Sequence, residues 1–199
     1  MNVVFDIGNV LVNWNVYRAF DHLIESHDEI DRLLERTGFH DWNLEQDRGR
    51  SVEDAMAAMA AQAPDDAGFF KDYFARFSLT IDAPIVGTWE LLRALKANGT
   101  RVFSITNWGA VTWPDALALY PELGTIFEDV VVSGHEKLIK PDPAIYQVLT
   151  QRNQLEPSTC FFIDDSEKNV AAARGLGWHA HHFQGPEGLR ADLSKRGLI

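Results

Sequence analysis

The chain of 199 residues has a single cysteine, Cys160, so it cannot form an internal disulfide. That cysteine lies in the apolar run Cys160-Phe161-Phe162-Ile163, where it reads as a small core residue rather than a nucleophile. Redox chemistry is therefore not expected. Positive charge is also scarce: 18 Lys and Arg stand against 29 Asp and Glu, for a net charge of -11. Such a surface repels phosphate backbones and anionic lipid, which argues against nucleic acid as a partner. No apolar run approaches the roughly 18 residues of a membrane span, so no membrane partner is expected either. The opening Met1-Asn2-Val3-Val4-Phe5-Asp6 lacks a basic leader and a long apolar stretch, which predicts a cytoplasmic protein. Repeats and low-complexity segments are missing.

What is present suits a packed globular interior. Hydrophobic residues make up 46% and charged residues 24%, enough for one compact domain or a core with an inserted subdomain. A small phosphorylated metabolite is compatible with the acidic balance, because a local cluster of metal, lysine and backbone N–H groups can outweigh distant charge. Monomer and homodimer are both open.

Two kinds of pattern divide the chain. Residues 15–82 read as purely helical. Asn15 to Ile24 and Phe69 to Phe77 carry apolar residues at helical spacing, and Ser51 followed by Asp54 predicts a capped start for Ala55 to Met59. From residue 84 onward, β-branched runs alternate with amphipathic helices. The runs are Arg101 to Ile105, Asp129 to Ser133, Cys160 to Ile163 and Trp178 to Phe183. With Val3-Val4-Phe5 as a further strand, this rhythm predicts an α/β fold with a mostly parallel sheet covered by helices, interrupted after strand one by a helical insert. The expected division is 1–14 with 83–199 as core and 15–82 as insert.

Polar residues gather just after the strands. Asp6 follows Val3-Val4-Phe5, Thr106-Asn107 follow Val102 to Ile105, Lys140 lies in the loop after Val130 to Ser133, and Asp164-Asp165 follow Phe161 to Ile163. In a parallel sheet those carboxyl ends share one edge, where ligands bind. Three carboxylates, a hydroxyl and an ammonium brought together there call for a counter-ion. Magnesium, which takes hard oxygen ligands, meets that need, and Lys140 and Thr106 would complete an anion pocket. Lys140 precedes Pro141, and Asp142-Pro143 reads as an N-cap followed by the first helical residue, so the lysine is held just ahead of a helix. Asp165-Ser166 likewise open the helix that contains Asn169.

These residues resemble the four motifs of the haloacid dehalogenase superfamily, in order: Phe5-Asp6-Ile7-Gly8-Asn9-Val10-Leu11, Ile105-Thr106-Asn107, Lys140-Pro141-Asp142-Pro143, and Phe162-Ile163-Asp164-Asp165-Ser166-Glu167-Lys168-Asn169. The resemblance implies a Rossmann-like three-layer core with a small helical cap over the active site, and a phosphatase that forms an aspartyl-phosphate. It makes Asp6 the nucleophile, Thr106 a phosphate donor and Lys140 the balancing charge. Asp6, Asp164, Asp165 and the Gly8 carbonyl become the magnesium ligands, with Asn169 behind them. Asn107 and Trp108 fall in the substrate-binding region. The Phe-Asp-Ile-Gly-Asn form of the first motif resembles the branch containing bacterial glucose-1-phosphate phosphatase.

One position departs from the commonest phosphatase pattern. The second residue after the nucleophile, usually an aspartate acting as general acid and base, is Gly8. Without that donor, either another group supplies the proton or the leaving group scarcely needs it. An anomeric sugar hydroxyl leaves more readily than a simple alkoxide, which makes a sugar 1-phosphate a chemically reasonable substrate. A 2-haloacid dehalogenase using Asp6 on carbon and a non-catalytic phosphometabolite-binding protein are the alternatives. Against the first, adjacent Asp164 and Asp165 would repel a carboxylate substrate if no cation were present.

The other conspicuous residues read mainly as structure. His179 and His181 share one strand face and His182 the other, which fits a partly exposed last strand better than a metal site. Trp42 and Trp113 read as core, whereas Trp14 and Trp108 are the better candidates for stacking on substrate. Met56 and Met59 read as packing within the insert. Arg48 and Arg50 are expected in solvent, unless a loop carries one over the substrate.

Overall fold

A computed structural model describes residues 1–81 and 83–199. The expected boundary at residue 82 falls on the position outside the described residues. Five strands form one parallel sheet: β1 (Asn2–Phe5), β2 (Val102–Thr106), β3 (Val130–Val132), β4 (Cys160–Asp164) and β5 (His179–His182). Their order across the sheet is β3-β2-β1-β4-β5. The chain thus builds outwards from β1 to one side, then returns to add β4 on the other. This creates a switch point between β1 and β4, the position at which open parallel sheets bind ligands.

Strand alternation divides the interior. Val3, Phe5, Phe161 and Ile163 face one apolar cluster, whereas Val4, Phe103, Ile105, Val131 and Phe162 face the other. Helices cover both faces. They are α1 (Tyr17–Phe20), α2 (His27–Arg36), α3 (Phe39–Asp47), α4 (Val52–Gln62), α5 (Phe77–Thr80), α6 (Val86–Ala97), α7 (Trp113–Leu119), α8 (Ser133–Glu136), α9 (Pro143–Asn153), α10 (Glu167–Gly175) and α11 (Pro186–Lys195). The second cluster is closed by Ile145, Tyr146 and Leu149 of α9 and Ala173 of α10.

Helices α1 to α5 occupy the stretch between β1 and α6. On α2, Ile30, Leu33 and Leu34 are buried at the spacing of one helical face, with charged residues around them. Helix α4 begins as its sequence predicts, with Ser51 Oγ accepting from Asp54 N at 3.1 Å. Phe20, Phe39, Trp42, Phe70 and Tyr73 form a continuous group of ring contacts. This group belongs to the same apolar cluster as Val3 and Phe5, so the helical stretch packs onto one face of the sheet.

Several local expectations shift. The predicted helix over Asn15 to Ile24 shortens to Tyr17–Phe20, and Phe69 to Phe77 does not continue as a helix. A 3-10 turn at Ala67–Phe70 gives way to turns before Phe77. Here the burial of Phe70, Tyr73 and Phe77 against neighbouring rings overrides the local helical pattern. Ser133 ends no strand but opens α8, and the last strand covers His179–His182, with Trp178 and Phe183 as buried flanks. As an edge strand it is partly exposed, and Cys160 and Met59 are fully buried, as expected.

Candidate active site

Asp6 is the first residue beyond β1. Its N–H still donates to the Ile163 carbonyl of β4 at 2.8 Å, so the carboxylate is fixed at the switch point. Asp6 Oδ1 accepts from Ile7 N at 2.7 Å, and Oδ2 faces Lys140 Nζ at 2.8 Å. The same ammonium meets Asp164 Oδ2 at 2.6 Å and the Ile105 carbonyl at 3.0 Å. All three of its hydrogens are therefore used, and it can hold two carboxylates from neighbouring strands together.

Three side-chain amides set this arrangement. Asn107 clasps the lysine backbone, its Oδ1 accepting from Lys140 N at 2.8 Å and its Nδ2 donating to Lys140 O at 3.1 Å. Asn169 Nδ2 donates to both oxygens of Asp164 at 3.0 and 3.2 Å, and Ser166 N adds a bond to Oδ1 at 2.8 Å. Asn9, in the left-handed region at φ 54, donates from Nδ2 to Asp165 Oδ2 at 3.2 Å. Asn is among the few residues that adopt this conformation readily, so the turn after Asp6 and the aim of Asp165 depend on one residue.

Oxygens of Asp6, Asp164 and Asp165 lie within 4.8 Å of one another, a grouping that could hold a metal ion. Burial is the main cause raising Asp6 well above the usual carboxylate range, with Lys140 opposing it and the neighbouring carboxylates adding to it. Burial and then Asp164 raise Asp165 in the same way. Lys140 is held above its ordinary value because Asp164 and Asp6 outweigh the burial that opposes its charge.

Asp6, Gly8, Asn107, Trp108, Asp165 and Asn169 line a cavity of ≈ 210 Å³. Thr106 is buried at the end of β2 and is not among the lining residues, and its hydroxyl has no hydrogen-bond partner among the described residues. Trp14 and Trp108 line the cavity, whereas Trp42 and Trp113 are core. Neither Arg48 nor Arg50 lines it. Arg48 pairs with Glu45 on the surface, while half-buried Arg50, expected in solvent, donates to the Trp42 carbonyl at 2.6 Å. His181 pairs with Asp192, and His182 meets the Asp165 carbonyl and Glu167.

The wall opposite the sheet carries residues that the sequence pattern did not single out: Asn43, Gln46 and Asp47 from α3, then Tyr73, Phe74 and Phe77. Asp47 is the unexpected charge among them. It sits in an ordinary-looking Asp-Arg-Gly-Arg stretch, and only the packing of α3 brings it to the cavity. Helical spacing, with Asn43 one turn before Asp47, was the only local signal for it.

The family model for haloacid dehalogenase-like hydrolases matches residues 1–177. Among curated proteins, drimenol cyclase drtB of Aspergillus calidoustus is 28% identical over 96% of this chain, which spans only 35% of that longer protein. The sesquiterpene phosphatase astK of Aspergillus oryzae is 24% identical over 90% of this chain and 88% of its own length. Among solved structures, the family enzyme bt-2542 of Bacteroides thetaiotaomicron, in complex with magnesium and inorganic phosphate, has a TM-score of 0.71 at 23% identity. The alignment covers 92% of this chain and 94% of that one. No helix is long and apolar enough to cross a membrane among the described residues. By its four strand-end motifs, its sheet order and the family model, the chain belongs to the haloacid dehalogenase-like hydrolases.

Proposed function

We propose that the protein is a magnesium-dependent phosphatase that hydrolyses a small phosphomonoester through an aspartyl-phosphate on Asp6. The observation that carries this reading is the charge balance of the site: three carboxylates with oxygens within 4.8 Å of one another face one ammonium. Such an oxygen-only donor set fits magnesium. Asp6, Asp165 and the Gly8 carbonyl would hold the ion, with Asp164 alongside, and when bound it supplies Lewis-acid polarisation of the phosphoryl oxygens.

The chain's own residues supply the rest. The Asp6 carboxylate attacks phosphorus, the alcohol leaves, and water hydrolyses the acyl phosphate. Lys140 favours the ionised form of Asp6 against the burial that opposes it, and adds positive charge beside the transferred group. The unpartnered Thr106 hydroxyl is suited to donate to a phosphoryl oxygen, because a buried polar group without a partner costs about 1–3 kcal/mol until one arrives. Asn107, Asn169 and Asn9 are positioning residues for Lys140, Asp164 and Asp165. Residues 15–82 would act as the cap, keeping bulk water from the reacting groups.

For the substrate, a hexose 1-phosphate fits a cavity with Trp14 and Trp108 to stack on a sugar ring and Asn43 as a polar end. Phe74 and Phe77 on the same wall favour a second reading, an apolar or planar alcohol. The sesquiterpene phosphatase among the relatives points the same way. A phosphoester panel assayed with and without magnesium, with sugar 1-phosphates, sugar 6-phosphates, prenyl and flavin phosphates and a haloacid control, tests both. Magnesium-dependent turnover of a phosphoester is expected. Chelator-resistant release of halide would instead favour the dehalogenase, and binding without multiple turnover a non-catalytic protein.

A further inference from the structure

We propose that Asp47, reaching the cavity from the end of α3, is the catalytic proton donor and acceptor for the leaving alcohol and the hydrolytic water, in place of the carboxylate that Gly8 lacks. The inference rests on the phosphatase reading above. An in-line displacement places the leaving oxygen, and later the attacking water, on the side of phosphorus away from Asp6. An acid serving both must reach that side of phosphorus, which the cavity wall formed by α3 can supply.

Four titratable side chains line the cavity among the described residues: Asp6, Asp165, Tyr73 and Asp47. The first two belong to the carboxylate cluster at the strand ends. Tyr73 already donates its hydroxyl proton to Asn43 Oδ1 at 2.8 Å, and burial holds that phenol far above its ordinary value. Asp47 is left. Burial pushes its carboxyl up to about 7, against the pull of Lys140 and of a bond from the Gly109 backbone. An acid of that strength is both protonated and able to give its proton at neutral pH.

Its position is also fixed. Two residues on, Gly49 adopts φ +90, and a Cβ there would lie 2.6 Å from the Gly134 carbonyl oxygen. The backbone at the end of α3 thus lies directly against α8, which follows β3. The end of α3 that carries Asp47 is therefore held by close packing and does not depend on a free loop.

In the first step the Asp6 oxygen–phosphorus bond forms as the phosphorus–alkoxide bond breaks, and the leaving oxygen takes the electron pair together with the Asp47 proton. The ionised Asp47 then removes a proton from water as the water oxygen attacks phosphorus. The electron pair of the breaking bond returns to Asp6, and Asp47 is protonated again.

A leaving-group series tests this with the full-length protein and magnesium, from aliphatic phosphates to 4-nitrophenyl phosphate. For the wild type, kcat/KM should depend only weakly on the leaving group. Asp47→Asn should lose about 100- to 10,000-fold on aliphatic phosphates and less than about tenfold on 4-nitrophenyl phosphate, whose phenolate needs little help. Equal losses on both, or no loss on the aliphatic esters, would overturn the role. If Asp47→Asn fails to fold by circular dichroism, the wild-type series decides, since a steep dependence leaves no room for an acid. A wild type inert towards every ester sinks the phosphatase reading itself, and the role of Asp47 with it.

Discussion

Lys140 and Asp164 form an ion pair at 2.6 Å in which both side chains are 0% exposed. With Asp6 as a second partner, the ammonium is the only positive charge in contact with these two buried carboxylates among the described residues. Removing it strands them. Lys140→Met should lower the unfolding free energy by about 3–5 kcal/mol, because two charges then remain buried without a partner. Urea denaturation followed by tryptophan fluorescence measures the loss, and a change below about 1 kcal/mol would show that water or relaxation replaces the lysine.

Asp6→Asn keeps the shape of the side chain and its backbone contacts but removes the nucleophile. Turnover of 4-nitrophenyl phosphate should fall to background while the circular dichroism spectrum is unchanged. Retained turnover would exclude Asp6 as the attacking group.

A cation that binds the folded chain stabilises it in proportion to the logarithm of its concentration, by about 2.7 kcal/mol at a hundredfold excess over Kd. Magnesium should therefore raise the melting temperature of the wild type without any substrate present. In Asp165→Asn, which removes the most cavity-facing member of the acidic pair, that shift should largely vanish. An equal shift in both proteins would place the ion elsewhere.

The main features of the sheet and the acidic group were legible because each has a local signature. β-branched runs mark the strands, and polar residues at the end of a run, or in the loop that follows it as for Lys140, mark the edge where parallel strands converge, so Asp6, Lys140, Asp164 and Asp165 could be assembled before any packing was known. Asn107 and Asn9 were visible as neighbours of those residues, but their grip on Lys140 and Asp165 depends on turn geometry. Asp47 had no comparable mark. A charged residue near the end of a helix normally faces solvent, and only the tertiary placement of α3 against α8 turns this one inward. For the same reason the helical spacing over Phe69 to Phe77 does not yield a helix: ring packing among distant aromatics decides that stretch.

Asp47 should also leave a trace in stability. Its carboxyl has an ordinary value of 3.8 and is pushed up to about 7 in the fold, chiefly by burial. Between those values the folded chain keeps a proton that the unfolded chain has released, so stability falls as pH rises through that window and the loss is complete above it. An amide at this position cannot ionise and escapes the cost. Asp47→Asn should thus raise the melting temperature relative to wild type, with a larger gain at pH 8 than at pH 5. The same gain at both values would mean that the Asp47 carboxyl titrates normally.

Gly8 itself offers a final test, because its backbone does not require glycine. A Cβ at Gly8 would meet nothing within 4 Å, the residue lines the cavity, and its φ lies outside the left-handed region. Gly8→Asp should therefore fold, placing a second carboxyl beside Asp6 but on the sheet side. If the two positions are alternative sources of one proton, Gly8→Asp in the Asp47→Asn background should recover at least about tenfold of the kcat/KM lost on aliphatic phosphates, out of the ~100- to 10,000-fold that general acid catalysis supplies. In the wild-type background it should change little, since the proton is already provided. Recovery in the double variant would also lift the restriction to good leaving groups that Gly8 suggested, and move the choice of substrate to the aromatic wall. No recovery, with the double variant folded and binding magnesium, would mean that Asp47 acts on the substrate in some way other than proton transfer.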